Sequence, residues 1–506
     1  MMTVDDTASR YNSTNGLNAA VLRVHPLLVI VLIAAAIRLP LAFWPNTHHN
    51  DEIFQYLEPA WRMLGHDSVV SWEWRYGMRG WLLPTLLAGP VAIGDWLLPG
   101  GIGAFVLPRL VAALASLSIV VSAWTYGARV TRTHSLIASF VTAIWFELLY
   151  FAPHVLGEPL ATAAFLPAAL LLTRASPSRR DLAGAGALLA LTVLFRFQYA
   201  PAVATLMAVA CWGHWSKIAP TAFGGLAVLM VSAAADAAHG AVPFAWLVIN
   251  VQQNLLLNRA ADFGVTSAIA YLGSFWFMWS IAIVPLVLFI ARGWRYAPEL
   301  AWAAFANIAF HSLIGHKEYR FIFLSVALLI IIAALGSVDC IEALQPGPKW
   351  RRYSVPIIAG GWLCVSAVLA TTGLMPAYWM RGIGAAKLTS TLRAGSQMCG
   401  LALYDVPVFL MPGQNRLAGR APLYALYAGD PLATGRLRAI ALKASPAFNR
   451  ILAYRSMERE LPPNFTERGC ETVSGAEVCA FARNGGCDSE AALSFEINDV
   501  LGRAGL

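Results

Sequence analysis

Charged residues are scarce in this chain, where Asp, Glu, Lys and Arg make up 13% of the 506 residues. A soluble globular protein of ordinary composition carries about 25% charged residues, so the shortage argues against a cytosolic enzyme. Seven cysteines in so long a chain are too few for a small disulfide scaffold. A disordered or collagen-like chain is also excluded, because 58% of the residues are hydrophobic.

Long apolar runs replace the missing charge and give a mean hydropathy of +0.60. A transmembrane helix needs about 20 mainly apolar residues, and about eleven stretches meet this requirement. The sequence therefore predicts an all-α polytopic membrane protein. The predicted segments are 27–44, 103–127, 135–152, 155–173, 182–196, 199–213, 218–237, 270–291, 297–314, 321–343 and 354–374.

The net charge of +8 is concentrated in alternate loops between these segments. If the N-terminus is cytoplasmic, every inner loop is basic, as the positive-inside rule requires. The surplus charge thus indicates an orientation, and no nucleic-acid partner is predicted. We expect the first segment to be an uncleaved anchor. The basic residues of the inner loops are Arg129, Arg132, Arg174, Arg179, Arg180, Lys217, Arg292, Arg295, Lys349, Arg351 and Arg352.

This orientation predicts three regions: a cytoplasmic tail 1–26, a membrane domain 27–374 and an extracytoplasmic C-terminal region 375–506. Within the membrane domain, residues 45–102 form a long first outer loop, and 239–269 form a third outer loop. The C-terminal region holds four cysteines, for which disulfides are expected and three connectivities exist. Proximity favours the pair Cys470–Cys479; a zinc site is the weaker alternative, because this region contains no histidine. The other two cysteines are Cys399 and Cys487.

The first outer loop opens with Asp51 and Glu52. Apolar residues recur at helical spacing from Ile53 to Leu64, which predicts a helix lying in the plane of the membrane interface. The positive end of that helix would keep Asp51 ionised. An ionised carboxylate there can take a proton from a hydroxyl or hold a cation. The alternative is that both acids only cap the helix.

Tryptophans and charged residues follow in the same loop. Trp72, Trp74 and Trp81 suit either the lipid headgroup zone or the face of a sugar ring. Arg75 and Arg79 add positive charge beside them, and packing alone gives no reason for such a charge density next to apolar anchors. The loop therefore favours a functional site over a purely structural anchor.

A second cluster, residues 316–321, reads His-Lys-Glu-Tyr-Arg-Phe between two apolar runs. Three basic residues at an outer membrane boundary form a receptor for phosphate, because Lys supplies a point charge and Arg a bidentate fork. A structural ion pair made by Glu318 is the alternative. His154 and Glu158, at another outer turn, and the polar residues 250–258 can bind sugar hydroxyls or remain ordinary solvated loop residues.

The first-loop and 316–321 motifs together resemble glycosyltransferase family 22, the α-mannosyltransferases of GPI-anchor and N-glycan assembly in the GT-C superfamily. The resemblance implies a GT-C-type bundle with helices in its extracytoplasmic loops. It also implies a lipid-phosphate-sugar-dependent glycosyltransferase whose catalytic base is Asp51. The segments that carry it are Asp51-Glu52-Ile53-Phe54-Gln55, Glu58-Pro59-Ala60, Trp72-Glu73-Trp74, Gly77-Met78-Arg79 and His316-Lys317-Glu318-Tyr319-Arg320-Phe321.

The resemblance also implies a division of roles among the site residues. We expect catalysis from Asp51 and Glu52, without a required cofactor, although a divalent metal is compatible with the site. The residues expected to bind the donor phosphate are His316, Lys317, Arg320 and Arg79. Those expected to bind substrate are His49, Gln55, Glu58, Trp72, Glu73, Trp74, Arg75, Glu318 and Tyr319.

The chain departs from the family pattern at two places. Asn50 stands where the family has Pro, which changes backbone stiffness more than chemistry. Phe263-Gly264 is followed by Val265 to Tyr271 instead of an aromatic Pro-Trp-His-Trp-Tyr-like stretch, so the donor or acceptor can differ from the family's.

The resemblance implies a mannose donor linked to a polyprenyl phosphate and a lipid-linked or glycan acceptor in the bilayer; protein partners are not predicted. Transfer of another lipid-phosphate sugar is the main alternative. A transporter or flippase is weaker, since no internal repeat is evident. Arginines outnumber lysines 31 to 5, which favours a bacterial inner membrane with a periplasmic site over an endoplasmic-reticulum membrane with a lumenal one.

Overall fold

The fold was analysed in a computed structural model. It describes residues 25–344, 353–394, 397–411, 413–417 and 421–505, without the side chains of Leu255 and Leu493. Almost all of the predicted cytoplasmic tail and the basic inner loop with Lys349, Arg351 and Arg352 lie outside the described residues.

The N-terminal three quarters of the chain form a helical bundle. Each of the eleven predicted segments is occupied by helix. Two of them are interrupted: the segment 135–152 at Trp145, which has an extended backbone, and 270–291 at Ser280, which has a positive φ of 48°. The helices are α1 Pro26–Leu41, α2 Glu58–Met63, α3 Trp72–Arg75, α4 Leu82–Leu97, α5 Ile102–Ala128, α6 Arg132–Ile144, α7 Phe146–Phe151, α8 Gly157–Leu172, α9 Arg179–Phe195, α10 Ala200–Cys211, α11 Ile218–Ala238, α12 Ala245–Val251, α13 Ala270–Trp279, α14 Ile283–Gly293, α15 Pro298–Leu313, α16 Phe323–Leu344, α17 Ser354–Thr371, α18 Met375–Met380 and α19 Ile383–Arg393.

Within the described residues, five helical runs are long and apolar enough to cross a membrane. Four shorter apolar helices accompany them: Pro26–Leu41, Leu82–Leu97, Gly157–Leu172 and Phe197–Cys211. The run Tyr319–Leu344 is 94% buried and is the central element, whereas Trp215–Ala238 is 22% buried and lies at the periphery. The five runs are Ile102–Ala128, Trp215–Ala238, Ala270–Tyr296, Tyr319–Leu344 and Ser354–Thr371.

Small residues allow the central helix to pack closely on its neighbour. A Cβ atom added at Gly336 of α16 would lie 1.9 Å from the carbonyl oxygen of Phe289 in α14. The facing Gly293 would place a Cβ 1.9 Å from the carbonyl oxygen of Ile332. Helices that meet in lipid gain van der Waals contact from such close approach, so these two glycines hold α14 against the core.

The first outer loop contains a helix where the spacing predicts one, and protein covers it more fully than the apolar spacing indicates. A π-helical turn, Glu52–Leu57, runs directly into α2. Every residue of this turn is buried, as are the residues of α2 up to Trp61. The π-helical turn packs against α4 and against the short helix Gly413–Leu417 of the C-terminal region, so other parts of the protein cover it. Residue spacing shows that one face is apolar; it does not show that the charged face is covered as well.

The C-terminal region corrects the all-α prediction. Its five-stranded sheet has the order β2-β1-β3-β5-β4, with β2, β1 and β3 parallel and β5 antiparallel to its two neighbours. The strands were overlooked because β1 and β2 are four-residue apolar runs that show no alternation. The elements are β1 Leu401–Tyr404, α20 Gly413–Leu417, β2 Leu423–Leu426, α21 Leu437–Ala444, β3 Arg450–Tyr454, β4 Thr466–Val473, β5 Ala476–Ala482 and α22 Ile497–Ala504.

Two disulfides hold this sheet region together. The predicted pair Cys470–Cys479 is confirmed and joins β4 to β5, and Cys399–Cys487 joins the start of the region to the loop after β5. The zinc alternative is wrong for these cysteines, because a disulfide sulfur is not a thiolate ligand.

Glu58 joins the first outer loop to the C-terminal region. Its two carboxylate oxygens each accept a backbone N–H at 2.7 Å, one from Val69 and the other from Asn415 in α20. Burial raises the pKa of Glu58 to about 7, although these N–H donors act in the opposite direction. Glu58 is therefore a docking residue, and its side chain does not face the site described below.

Glu58→Gln tests this docking contact through its pH dependence. Between about pH 4.5 and pH 7 the folded protein keeps a proton that the unfolded chain has released. The contribution of this proton to the free energy of unfolding is fully present below pH 4.5 and is lost as the pH rises through 7. We expect the wild-type protein to lose roughly 3 kcal/mol across this window, and the variant to lack that loss. The measurement is thermal unfolding in detergent at pH 5 and pH 8.

Glu490→Gln, which changes an exposed carboxyl of the same region, is the matched control and should follow the wild type. Equal pH slopes for the wild type and Glu58→Gln would contradict the proposed titration.

Candidate active site

Asp51 and the 316–321 cluster meet in space although 269 residues separate Asp51 from Arg320. An Nη2–H of Arg320 donates to Oδ2 of Asp51 at 2.8 Å, and Nδ1 of His49 lies 3.1 Å from Oδ1. The Asp51 side chain is 15% exposed, so the protein does not enclose it completely. Two motifs that the sequence placed on one face of the membrane thus form one site.

The Arg320 guanidinium is the centre of this site. It contacts three carboxylates, with N–O distances of 2.8 Å to Asp51, 3.1 Å to Glu158 and 2.7 Å to Glu318, and it is 3% exposed. A second guanidinium, that of Arg196, lies 3.4 Å from Glu158. Burial of so many charges is tolerated only when each has a partner, and here three carboxylates face two guanidiniums with His49 beside them.

The electrostatics keep the acidic groups ionised. Burial by itself would raise the pKa of Asp51, but His49 and Arg320 outweigh it and hold the pKa well below its usual value. Burial would likewise raise the pKa of Glu318. Arg320 and His316 outweigh burial, so this pKa is strongly lowered. The hydrogen bond to Glu318 in turn raises the pKa of His316. Asp51 is therefore a carboxylate at neutral pH and can accept a hydroxyl proton.

Glu52 belongs to a separate, wholly buried network behind Asp51. Its carboxylate lies 2.8 Å from Nδ1 of His154, accepts the N–H of Val155 at 3.2 Å and approaches Nε of Arg109 at 3.9 Å. Arg109 also donates to the backbone oxygen of Asn46 at 2.6 Å. With no exposed surface, Glu52 fixes the start of the loop and thereby the position of its neighbour Asp51.

The sequence pattern indicated His154 and Glu158 only as candidate sugar-binding residues and did not indicate Arg196. All three are buried and contact either Glu52 or the Arg320 cluster. The available signal was their position, since ionisable residues at the ends of apolar segments are costly unless they serve a partner.

Two further residues of the 316–321 cluster, Lys317 and Tyr319, contact groups outside the ion cluster of Arg320. Lys317 donates to the backbone oxygens of Ile314 and Thr266, at 2.5 and 3.3 Å. Tyr319 donates to Glu147, a buried carboxylate that also accepts the indole N–H groups of Trp145 and Trp279. This carboxylate therefore anchors the residue next to Arg320.

The predicted residues of the first outer loop have three kinds of surroundings: a cleft, the C-terminal region and contacts with other aromatic rings. Gln55 and Arg79 line a cleft next to the Asp51 site, and Arg79 lies 3.4 Å from Glu73. Arg75 instead donates to the backbone oxygen of Asn498 at 2.7 Å, which ties the loop to α22. Trp72 stacks on Phe263 and Trp74 packs against Trp81, with ring centroids 6.1 and 4.6 Å apart.

Comparison with known protein families decides the assignment. Residues 29–383, more than half of the chain, match the model of the Alg9-like mannosyltransferase family. The chain belongs to this family. The predicted resemblance to a family of membrane glycosyltransferases is thus confirmed, and both motifs of the site lie within the matched residues.

Proteins similar to this chain include three named GPI mannosyltransferase 3. The one from Yarrowia lipolytica is 26% identical over 361 residues, which cover 66% of this chain and 67% of that protein. Shorter matches, 42% and 36% identical, cover 13% and 18% of this chain, and they span 12% and 16% of the length of the proteins from Gibberella zeae and Drosophila melanogaster.

Solved structures show the same architecture. The crystal structure of ArnT from Cupriavidus metallidurans bound to undecaprenyl phosphate superposes with a TM-score of 0.61 at 13% identity, over 90% of this chain and 97% of that one. Its apo structure gives 0.57. At this identity the likeness shows that the chain shares the fold of ArnT. Together with the family match, it indicates an integral membrane protein.

Replacing Arg320 by Gln tests its central position in this Alg9-like protein. The change leaves three carboxylates without their shared cation, and breaking a buried ion pair costs about 3–5 kcal/mol. We expect the thermal unfolding midpoint in detergent to fall by many degrees, with partial rescue in Arg320→Lys.

The matched control is Arg295→Gln. Arg295 contacts Asp339 at 2.9 Å but is 58% exposed, so its loss should lower the unfolding midpoint only slightly. If Arg320→Gln proves no less stable than this control, the central role of Arg320 is wrong.

Proposed function

We propose that this protein transfers mannose from a polyprenyl-phosphate-mannose donor to a hydroxyl of a lipid-linked or glycan acceptor, with inversion at the anomeric carbon. The site would face away from the cytoplasm, in the periplasm of a bacterium or, alternatively, the lumen of the endoplasmic reticulum. The observation that carries the proposal is the ionised, partly exposed carboxylate of Asp51 beside a buried cluster of arginines.

In the proposed reaction Asp51 is the general base. The acceptor hydroxyl donates a hydrogen bond to the Asp51 carboxylate and attacks the anomeric carbon from the face opposite the phosphate. The new C–O bond forms as the bond to the phosphate oxygen breaks, and the hydroxyl proton passes to Asp51. The phosphate leaves as the polyprenyl phosphate anion, so the atoms and charges balance.

The low pKa of Asp51 determines when the proton moves. A carboxylate held well below its usual pKa cannot deprotonate a free alcohol to any extent. The attacking oxygen becomes strongly acidic only as it bonds to the anomeric carbon. Proton transfer therefore accompanies or follows formation of the new bond, and Asp51 mainly orients the hydroxyl before that point.

The phosphate needs cations to leave, and the predicted candidates differ in availability. Arg320 already contacts three carboxylates, and Lys317 donates to two backbone oxygens. Arg79 makes one longer ion-pair contact, of 3.4 Å to Glu73. His316 lies 3.1 Å from Glu318. Fixed cations aimed at developing charge are a main source of catalysis, and Arg79 is the better placed of the predicted arginines.

The relatives and the fold support the substrate class. Three similar proteins carry the name GPI mannosyltransferase 3, and a neighbour in fold was solved with undecaprenyl phosphate. Another lipid-phosphate sugar is the alternative. The altered third outer loop favours it, because the backbone oxygen of Thr266 in the altered stretch accepts a hydrogen bond from Lys317 at 3.3 Å.

Asp51→Asn tests the base. Asparagine keeps the shape but cannot accept the proton, so we expect transfer to fall by about 10²–10⁴-fold with an unchanged KM for the donor. The assay measures label transferred from polyprenyl-phosphate mannose by the purified protein, and NMR of the product reports the anomeric configuration.

Asp67→Asn, an exposed residue of the same loop, should retain wild-type turnover. Near-normal turnover of Asp51→Asn would refute the assignment of the base, and a product with retained configuration would refute the inverting mechanism.

Chelation tests the expectation that no metal is required. In the described part of the Asp51 site, the Arg320 guanidinium lies among the three carboxylates that could otherwise gather around a divalent cation. We expect EDTA to leave the transfer rate within about twofold of the untreated rate, since the chain itself supplies the fixed charge. A loss that added Mg²⁺ or Mn²⁺ restores would contradict this.

A further inference from the structure

Five buried polar atoms without a partner line the cleft next to the Asp51 site. About 540 Å³ in and in front of the cleft is free of protein atoms, open solvent included. Within the described residues these atoms have no hydrogen-bond partner, and a native protein leaves few such groups unsatisfied. They are Oε1 of Gln55, Nε of Arg79, Nε of Arg196, Oγ of Ser232 and Nε1 of Trp246.

Their chemistry selects the ligand. Three of the five atoms can only donate a hydrogen bond, the Ser232 hydroxyl can donate as well, and two of the donors belong to guanidinium groups. Arg196 is 7% exposed, Gln55 3% and Ser232 1%, so these groups are fixed within the protein. A ligand that satisfies them must accept several hydrogen bonds and carry negative charge, which describes a phosphate group.

The backbone beside Trp246 is shaped to admit its indole. A Cβ atom at Gly80 would lie 2.6 Å from Nε1 of Trp246, so only a glycine leaves that N–H its present position. Gly80 follows Arg79 directly, and both line the cleft. One short segment of the first outer loop therefore supplies the guanidinium of Arg79 and leaves room for the indole N–H of Trp246, an uncharged hydrogen-bond donor.

The cleft lies beside both the reacting carboxylate and the lipid-facing surface. Arg79 is close enough to Asp51 to lower its pKa. Burial raises the pKa of Tyr56, which also lines the cleft, and the charges of Arg79, Asp51 and Arg196 act on the same pKa. On the outer side, Met230 and Val231 precede Ser232 in α11 and are 64% and 59% exposed. A phosphate in the cleft would thus have the reaction site on one side and an apolar surface for a hydrocarbon chain on the other.

We propose that this cleft binds the phosphate of the polyprenyl-phosphate sugar donor, through Arg79, Arg196, Trp246 and Ser232. The proposal rests on the proposed function for the identity of the donor. It assigns the phosphate to three residues outside the two motifs, and it leaves Arg320 to organise carboxylates. Gln55 accepts a hydrogen bond there from a hydroxyl of the transferred sugar.

Binding of polyprenyl phosphate without a sugar tests the proposal independently of catalysis. Trp246→Phe keeps an aromatic ring and removes the indole N–H together with the five-membered ring that carries it, and Ser232→Ala removes one hydroxyl. Each should weaken binding to the purified protein in detergent by about 10–100-fold, the effect of losing one hydrogen bond to a charged group. Arg79→Gln should weaken it by about tenfold or more. Gly80→Ala, which crowds the indole, should behave like Trp246→Phe.

Matched controls separate the cleft from general effects. Arg62→Gln removes an exposed arginine of the same loop and should bind polyprenyl phosphate like the wild type. Because Arg196 also contacts Glu158, Arg196→Gln can lose stability, so the milder Trp246→Phe and Ser232→Ala variants carry the test. Their unfolding midpoints should match the wild type.

The outcomes distinguish this proposal from the proposed function. Asp51→Asn should bind polyprenyl phosphate normally while failing to transfer sugar, and that result supports both. Unchanged binding by Trp246→Phe, Ser232→Ala and Arg79→Gln would overturn the cleft assignment alone. If these three variants raise the KM of the acceptor and leave the KM of the donor unchanged, the acceptor occupies the cleft. That result would also overturn the cleft assignment. Equal competition by phosphatidylglycerol would also overturn it, because the cleft would then recognise any anionic lipid.

Discussion

The ion cluster around Arg320 is the constraint on which the site depends. One guanidinium contacts carboxylates from the first outer loop, from the start of α8 and from its own segment. These three parts of the chain have no covalent reason to meet. A buried cation that needs several anions defines their distances sharply, because misplacing one carboxylate leaves charge unpaired in a medium of low dielectric constant. The position of Asp51 follows from this contact, and its ionisation follows from His49 and Arg320 together.

The first outer loop is held from both sides, and this turns a loop residue into a precisely placed one. Glu52 reaches inward to His154 near Arg109, whereas Glu58, six residues later, accepts backbone N–H groups from Val69 and from Asn415 of the C-terminal region. Asp51 thus lies on a segment whose next turn is buried between the bundle and the sheet region. Catalytic groups need such rigid support, since small displacements reduce rates greatly.

The cleft and the Asp51 site divide the positive charge of the outer face between two tasks. Arg320 satisfies protein carboxylates, while Arg79 and Arg196 keep donor atoms unpartnered beside Gln55 and Trp246. Residue types alone do not reveal this division, because every arginine is equally suited to phosphate. Only the list of partners distinguishes a cation already neutralised by protein from one with capacity for a ligand.

The sequence by itself determined the membrane class, the family, the helical segments and the two motifs of the site, because apolar run length and local residue patterns carry that information. Tertiary structure alone decided that Glu52 turns away from Asp51, that Glu158 and Arg196 join the cluster, and that α2 is buried. It also revealed the sheet of the C-terminal region. Each of these depends on contacts between residues far apart in the chain, and such contacts leave no mark in local periodicity or charge. The few charges in the chain showed where to look, and their pairing showed what each one does.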